Sequence, residues 1–170
     1  LEQSLKLDPK LAQTYLYLGD YYYAKHDAAN AVANYLKTLE LDPAALSNQD
    51  GSLASDAASL FVLPEYLPQA LEAFRAAAAR SPQSLAPHYA LAELYKRSDR
   101  LDLARQELEQ AREIAPNDVT ANLMLVNFLS EIGQIDAAVN AMRHLMDLIP
   151  PARSDYQRFQ SFYTQLQQLQ

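Results

Sequence analysis

Residues 15–43 read YLYLGDYYYAKHDAANAVANYLKTLELDP, and the run of three tyrosines in that stretch, Tyr21 to Tyr23, poses the first question. They could be a stacking site, a phosphorylation cluster or part of a packed core. Successive helical residues turn by about 100°, so three in a row fan across roughly 200° of helix surface and cannot form one patch. Spacing elsewhere in the chain has to assign them. The stretch ends in Leu-Asp-Pro, and that ending recurs.

The phrases LKLDP, LELDP, AARSP, REIAP and MDLIP close on Pro9, Pro43, Pro82, Pro116 and Pro150, whose successive separations are 34, 39, 34 and 34 residues. A fixed period of this size is the mark of a solenoid, in which each unit buries its apolar face only against its neighbours. Each phrase follows apolar residues three and four apart. Proline is therefore expected to stop one helix and start the next, its fixed φ suiting a first helical turn. Each interval has room for two helices, and alanine, leucine and glutamine favour helix over strand.

The chain resembles the tetratricopeptide repeat family, whose pattern is a large aromatic, Leu-Gly, Tyr, Ala, an aromatic, Ala and Pro at set offsets. Residues 12–45 carry it as Tyr15, Leu18, Gly19, Tyr22, Ala31, Tyr35, Thr38 and Pro43, and only Thr38 departs from it. Residues 85–118 match through His88, Leu91, Ala92, Tyr95, Ala104, Leu108, Ala111 and Pro116; residues 119–152 match more loosely through Asn122, Leu125, Val126, Leu129, Ala138, Met142, Leu145 and Pro150.

The 39-residue interval holds a stretched repeat, 51–84, with Phe61 at the tyrosine position and Ala70, Phe74 and Ala77 in its second helix. Five extra residues, 46–50, precede it as an insertion. Its first helix is expected over roughly Ser52 to Leu63, with a longer loop around Pro64 and Pro68. Residues 1–11 read as the end of a partial repeat, so the chain is expected to be an excerpt of a longer protein. At the other end, 153–170 places Tyr156, Phe159, Tyr163, Leu166 and Leu169 at helical spacing behind a capping box of Ser154 and Gln157. Glutamine dominates the opposite face, as a C-terminal cap requires. The resemblance implies an all-α, right-handed superhelix in one array over residues 1–170.

The resemblance also implies that the first helix of each repeat lines a concave groove. Mapped onto this chain, the groove candidates are Gln13, Leu16, Tyr17, Asp20 and Tyr23, then Tyr89, Glu93 and Lys96, then Leu123 and Asn127. The stretched repeat contributes a smoother floor of Ser52, Ser55, Asp56, Ser59 and Val62. Tyrosine suits such a surface because it buries a large area with few rotors to freeze. In this frame Tyr22 is core, Tyr21 faces the preceding repeat and Tyr23 faces the groove.

A carboxylate clamp known in the family, built from Lys, Asn and Arg, finds no cation in either register: its places hold Leu16, Asp20, Asp56, Ala86 and Ala90, or Ser55, Ser59, Ala90, Thr120 and Met124. The expected ligand is therefore a protein or peptide with apolar anchors and Lys or Arg rather than an acidic tail. Two further readings stay open. The chain could pair with copies of itself through its truncated N-terminal end or C-terminal helix, or serve as the regulatory arm of an enzyme or membrane protein lying outside these residues.

Composition narrows the alternatives. A formal net charge of −7 argues against nucleic acid as a partner and against a broad surface for anionic lipid. There is no cysteine for a disulfide framework, which leaves the compartment undetermined. No apolar run approaches the roughly 20 residues of a membrane span, and residues 1–10 are not a signal peptide.

For chemistry, His26, His88 and His144 are dispersed, His88 standing at the core wedge position. No pair has metal-ligand spacing, no serine sits in a nucleophile elbow, and three glycines form no phosphate loop. No cofactor, metal site or catalytic residue is expected.

Overall fold

The computed structural model describes residues 11–48 and 52–169. Among them lie nine α-helices: α1 (Ala12–Ala24), α2 (Ala28–Leu41), α3 (Ser55–Phe61), α4 (Leu67–Arg80), α5 (Ala86–Arg97), α6 (Leu101–Ile114), α7 (Val119–Glu131), α8 (Ile135–Leu148) and α9 (Tyr156–Gln168). A 3-10 turn, Pro43–Leu46, follows α2. The all-α expectation holds. The chain divides into two compact units, the first ending at Arg100 and the second starting at Leu101, a boundary inside the expected third repeat. The partial repeat expected over 1–11 lies, apart from Leu11, outside the described residues, as do positions 49 and 50 of the insertion.

The prolines stop helices as their chemistry requires. The residue before proline is pushed out of the helical region: Asp42 (φ −152°, ψ 101°), Ser81 (φ −133°, ψ 73°) and Ile149 (φ −104°, ψ 125°) end α2, α4 and α8. The second half of the expectation needs correction. Pro43 opens only the 3-10 turn, and Pro82, Pro116 and Pro150 open no helix at all; the next helices begin at Ala86, Val119 and Tyr156. Other groups start them. Pro68 and Pro87 sit in the first turns of α4 and α5, and the Asp118 carboxylate accepts from the Ala121 N–H at 2.7 Å to cap α7. The expected Ser154–Gln157 capping box does not form. Asp155 precedes α9, makes no capping bond and pairs with Arg153 at 2.7 Å.

Three of the turns between helices share one backbone solution. His26 (φ 58°), Asp99 (φ 59°) and Gly133 (φ 74°) occupy the left-handed region. The next N–H reaches back to the same repeat position each time: Asp27 to the Tyr22 carbonyl at 3.0 Å, Arg100 to Tyr95 at 2.8 Å and Gln134 to Leu129 at 2.9 Å. These bonds satisfy carbonyls that a helix end would otherwise leave open. Only Gly133 adopts the conformation without steric cost.

The core of the first unit is organised around Tyr35, which is fully buried on α2. Its ring lies over Gly19 of α1, where a Cβ would collide with its Cδ1 and Cε1 atoms. On its other side the ring meets Phe61 of α3 edge-on, centroids 6.2 Å apart, and Phe61 meets Phe74 of α4 in the same way at 6.0 Å. Each such pair contributes about 0.5–1.5 kcal/mol beyond the area it buries. The Tyr35 hydroxyl donates to Asp20 Oδ1 at 2.9 Å. Thr38, the one departure from the pattern in its repeat, is buried and satisfies its hydroxyl by donating to the Asn34 carbonyl at 3.0 Å. Arg75 of α4 donates to the Tyr95 hydroxyl and lies over that ring, fastening α4 to α5.

The stretched repeat differs from its expectation. Its first helix, α3, has seven residues rather than spanning 52–63. In place of the missing turns, Leu46 and Leu53 are buried as two pins, joined through an antiparallel bridge between Ser47 and Leu53 and a bond from the Ala54 N–H to the Leu46 carbonyl at 2.8 Å. The insertion is thus anchored in the core at its first residue.

In the second unit α7 packs on α6 and α8, and α9 packs on α8. Asn122 stands at the wedge position that the pattern gives to a large aromatic. Being buried, it must find partners, and its amide donates to the Pro116 and Asp118 carbonyls, both at 2.8 Å. A polar residue therefore does by hydrogen bonding what a ring does by packing.

Two glycines with different reasons predict different mutant behaviour. Gly19→Ala should cost about 1–3 kcal/mol by overpacking, and the cost should largely vanish when Tyr35 is also alanine. Gly133→Ala meets no neighbour within 4 Å, so it should cost roughly 1 kcal/mol from backbone strain alone, whatever stands at position 35. Urea unfolding of Gly19→Ala and Gly133→Ala, each alone and combined with Tyr35→Ala, against wild type and Tyr35→Ala alone checks this; a Gly19 penalty independent of Tyr35 would refute the steric account.

Burial, reinforced by the bond to Asp20 and the charges of Asp20 and Asp56, raises the Tyr35 hydroxyl pKa well above the ordinary value of 10.0. The folded chain keeps this proton where the unfolded chain loses it, so the contribution is complete below pH 10 and falls as pH rises beyond it. Tyr35→Phe should flatten the alkaline decline of stability measured between pH 9 and 11.

Candidate functional site

In the first unit, helix α1 carries Gln13, Leu16, Tyr17, Asp20 and Tyr23 at helical spacings of three and four, which places them along one face. Their exposures differ. Gln13 is open, Tyr17 is 54% exposed, and Leu16, Asp20 and Tyr23 are half-buried. Asp20 is fixed by the Tyr35 hydroxyl, so one carboxylate oxygen is held from below. Both Asp20 and Asp56 act electrostatically on that hydroxyl, which makes this part of the face acidic. Tyr23 lines an open hollow of about 340 Å³ with Ala24, His26, Ala28 and Leu60.

The three tyrosines separate as the spacing requires. Tyr22 is half-buried; Tyr21 is 50% exposed, meets the Tyr22 ring edge-on at 5.4 Å and has the Lys25 ammonium over its own ring. The preceding repeat that Tyr21 is expected to face lies outside the described residues.

Helix α5 departs from the groove expectation. It meets α3, α4 and the 3-10 turn and is buried around most of its circumference. Tyr89, expected on the open inner face, is 5% exposed and belongs to the core. Glu93 pairs with Arg97 at 2.5 Å and with Lys96 at 3.8 Å, so these two groove candidates offset each other's charge. His88, expected in the core, is only half-buried.

In the second unit, Leu123 and Asn127 of α7 face an open cleft of about 510 Å³ whose other wall is α9. Arg158, Ser161, Phe162 and Gln165 line that wall, with the buried Phe159 at its floor. The four wall residues fall within about 100° of the α9 circumference. Phe159 and Leu166 form the edge packed on α8, while Gln157, Gln160, Thr164, Gln167 and Gln168 are exposed.

The glutamine-rich outer face matches the sequence reading, but the stripe needs correction at its end: Leu169 is 65% exposed. Sequence spacing found the α7 side of this cleft and missed the α9 side. The signal was available, since Arg158, Phe162 and Gln165 recur at four and three residues, but it sits between two stronger patterns. Among the described residues no group of three or more His, Asp or Glu could hold a metal ion, and no helix is long and apolar enough to cross a membrane.

The repeat pattern, the paired helices and the αL turns now stand together with the comparisons. The tetratricopeptide repeat model matches residues 67–121 and 99–166, more than half of the chain. No curated protein matches by sequence. Among solved structures, a crystal structure of MamA shares 22% identity at a TM-score of 0.53, covering 86% of this chain and 83% of its own. A thermophilic TPR protein of Thermus thermophilus shares 22% identity at 0.52, covering 91% and 80%. At these identities the likeness is one of fold. The chain belongs to the tetratricopeptide repeat family.

Proposed function

We propose that the chain is a non-catalytic protein-interaction scaffold, and that the α1 face of its first unit holds a peptide or helix bearing apolar anchors and Lys or Arg. The observation that carries this reading is Tyr17, a large aromatic left 54% exposed on the same face as Leu16, Asp20 and Tyr23. An aromatic of this kind, rigid and amphipathic, is the usual anchor of an interface. Asp20, three residues further along that face, supplies negative charge and is pre-oriented by Tyr35, which lowers the entropic cost of pairing with a cation, and Asp56 adds negative charge near the same Tyr35 hydroxyl. The hollow at Tyr23, bounded by Leu60 and Ala28, offers a place for an aliphatic side chain. Tyr89 has no part in this face, being buried.

Self-association through the Tyr/Phe edge of the C-terminal helix has less to draw on, because Phe159 and Leu166 are already buried in the unit. What that reading retains at this end is Leu169.

Selection from a random peptide display library against the full chain should enrich sequences that combine a Leu, Phe or Tyr with Lys or Arg. The double variant Tyr17→Ala, Tyr23→Ala should bind them at least tenfold more weakly, with unchanged helical circular dichroism. Equal binding by the double variant would remove the α1 face from consideration.

A further inference from the structure

We propose that the cleft between α7 and α9 in the second unit binds an extended peptide segment that carries an acidic side chain next to a bulky apolar one. This goes beyond the proposal for α1, which concerns the other unit and a ligand of opposite charge.

The argument rests on the charge and chemistry of the lining. On a chain of net charge −7, this cleft is lined by one charged side chain, Arg158, and by no carboxylate. The arginines nearest to it in sequence are engaged: Arg153 pairs with Asp155 at 2.7 Å, and Arg143 donates to the Tyr163 hydroxyl and to Asn140 Oδ1, both at 3.3 Å. Arg158 has no ion pair or hydrogen bond among the described residues. A guanidinium offers five donors in a planar fork, a geometry that matches a carboxylate through two parallel bonds.

The rest of the lining suits a peptide main chain. Asn127 and Gln165 stand on opposite walls, and each amide can both donate to a carbonyl and accept from an N–H, which holds an extended backbone without reading its sequence. Leu123 and Phe162, above Phe159, form the apolar part. A volume of about 510 Å³ lies within the range of specific ligand pockets and has room for side chains as well as main chain. The apolar patch fixes one anchor and Arg158 fixes the charge of its neighbour.

The test uses the full chain and two fluorescein-labelled octapeptides without Lys or Arg, one with two glutamates beside a leucine and a phenylalanine, the other with glutamines in place of the glutamates. Fluorescence anisotropy should show the glutamate peptide binding at least tenfold more tightly. Arg158→Gln should erase the preference and Arg158→Glu should reverse it, while Phe162→Ala weakens binding of the glutamate peptide. Neither peptide carries the Lys or Arg expected of a ligand for the α1 face, which separates failure here from failure of the α1 reading.

Thermal unfolding checks that the α9 variants are folded. No discrimination by the wild-type chain, or a preference that survives Arg158→Glu in folded protein, overturns the proposal. Sedimentation showing a wild-type dimer that Arg158→Glu dissociates also overturns it, by making a second copy the occupant.

Discussion

The first unit is organised around one contact, the Tyr35 ring against the bare Cα of Gly19. It requires two sequence choices at once: a residue with no side chain on α1 and a large ring on α2. The ring then brings α3 and α4 in through Phe61 and Phe74, and its hydroxyl binds Asp20 on the surface above. A glycine in mid-helix weakens that helix by roughly 0.5–1 kcal/mol against alanine. The cost is offset because the close approach buries the whole ring. In the second unit no glycine plays this part, and small residues do it instead, with Ala104, Ala111, Ala121 and Ala138 fully buried where helices meet.

The sequence made the repeat legible because its constraints are local and recurrent. Proline before a fixed count of residues, tyrosine or leucine at the turn, and alanine where helices touch can all be read without knowing what lies beside them. The same logic placed Tyr35 in the core, where it is fully buried, whereas Tyr22, expected there too, is only half-buried.

Where the reading failed, the deciding contact was non-local. Periodicity says which residues share a face, but not how many elements cover that face. Tyr89 lies on the expected side of α5, yet α5 has three neighbours in its unit, and the side is closed. Prolines 82, 116 and 150 end helices through a local clash; where the next helix begins is decided by other groups, such as Asp118 and Pro87. Arg158 was invisible as a cleft residue because its importance comes from what is absent around it.

The two candidate faces also differ in how firmly they are built. Asp20 is tied to the core by a hydrogen bond to a fully buried tyrosine, so its position is set by the packing beneath it. The α9 wall rests on one apolar edge, Phe159 and Leu166, against α8, with no capping bond at its start. Rigid placement favours selectivity, and a lightly held wall favours adjustment to more than one ligand.

The seven-residue helix α3 has a consequence for the order in which the first unit forms. Helices this short do not persist alone in water, because nucleating the first turn costs more than so few later bonds return. Helices α1 and α2 are about twice as long, adjacent in sequence and joined by a closed turn, so they can collapse on each other early through short-range contacts. Helix α3 acquires its structure only when Phe61 finds Tyr35 on one side and Phe74 on the other. The central segment of this unit thus depends on its tertiary contacts, Phe61 between two aromatic edges and the buried Leu46 and Leu53 beside it, more than on its own helical bonds.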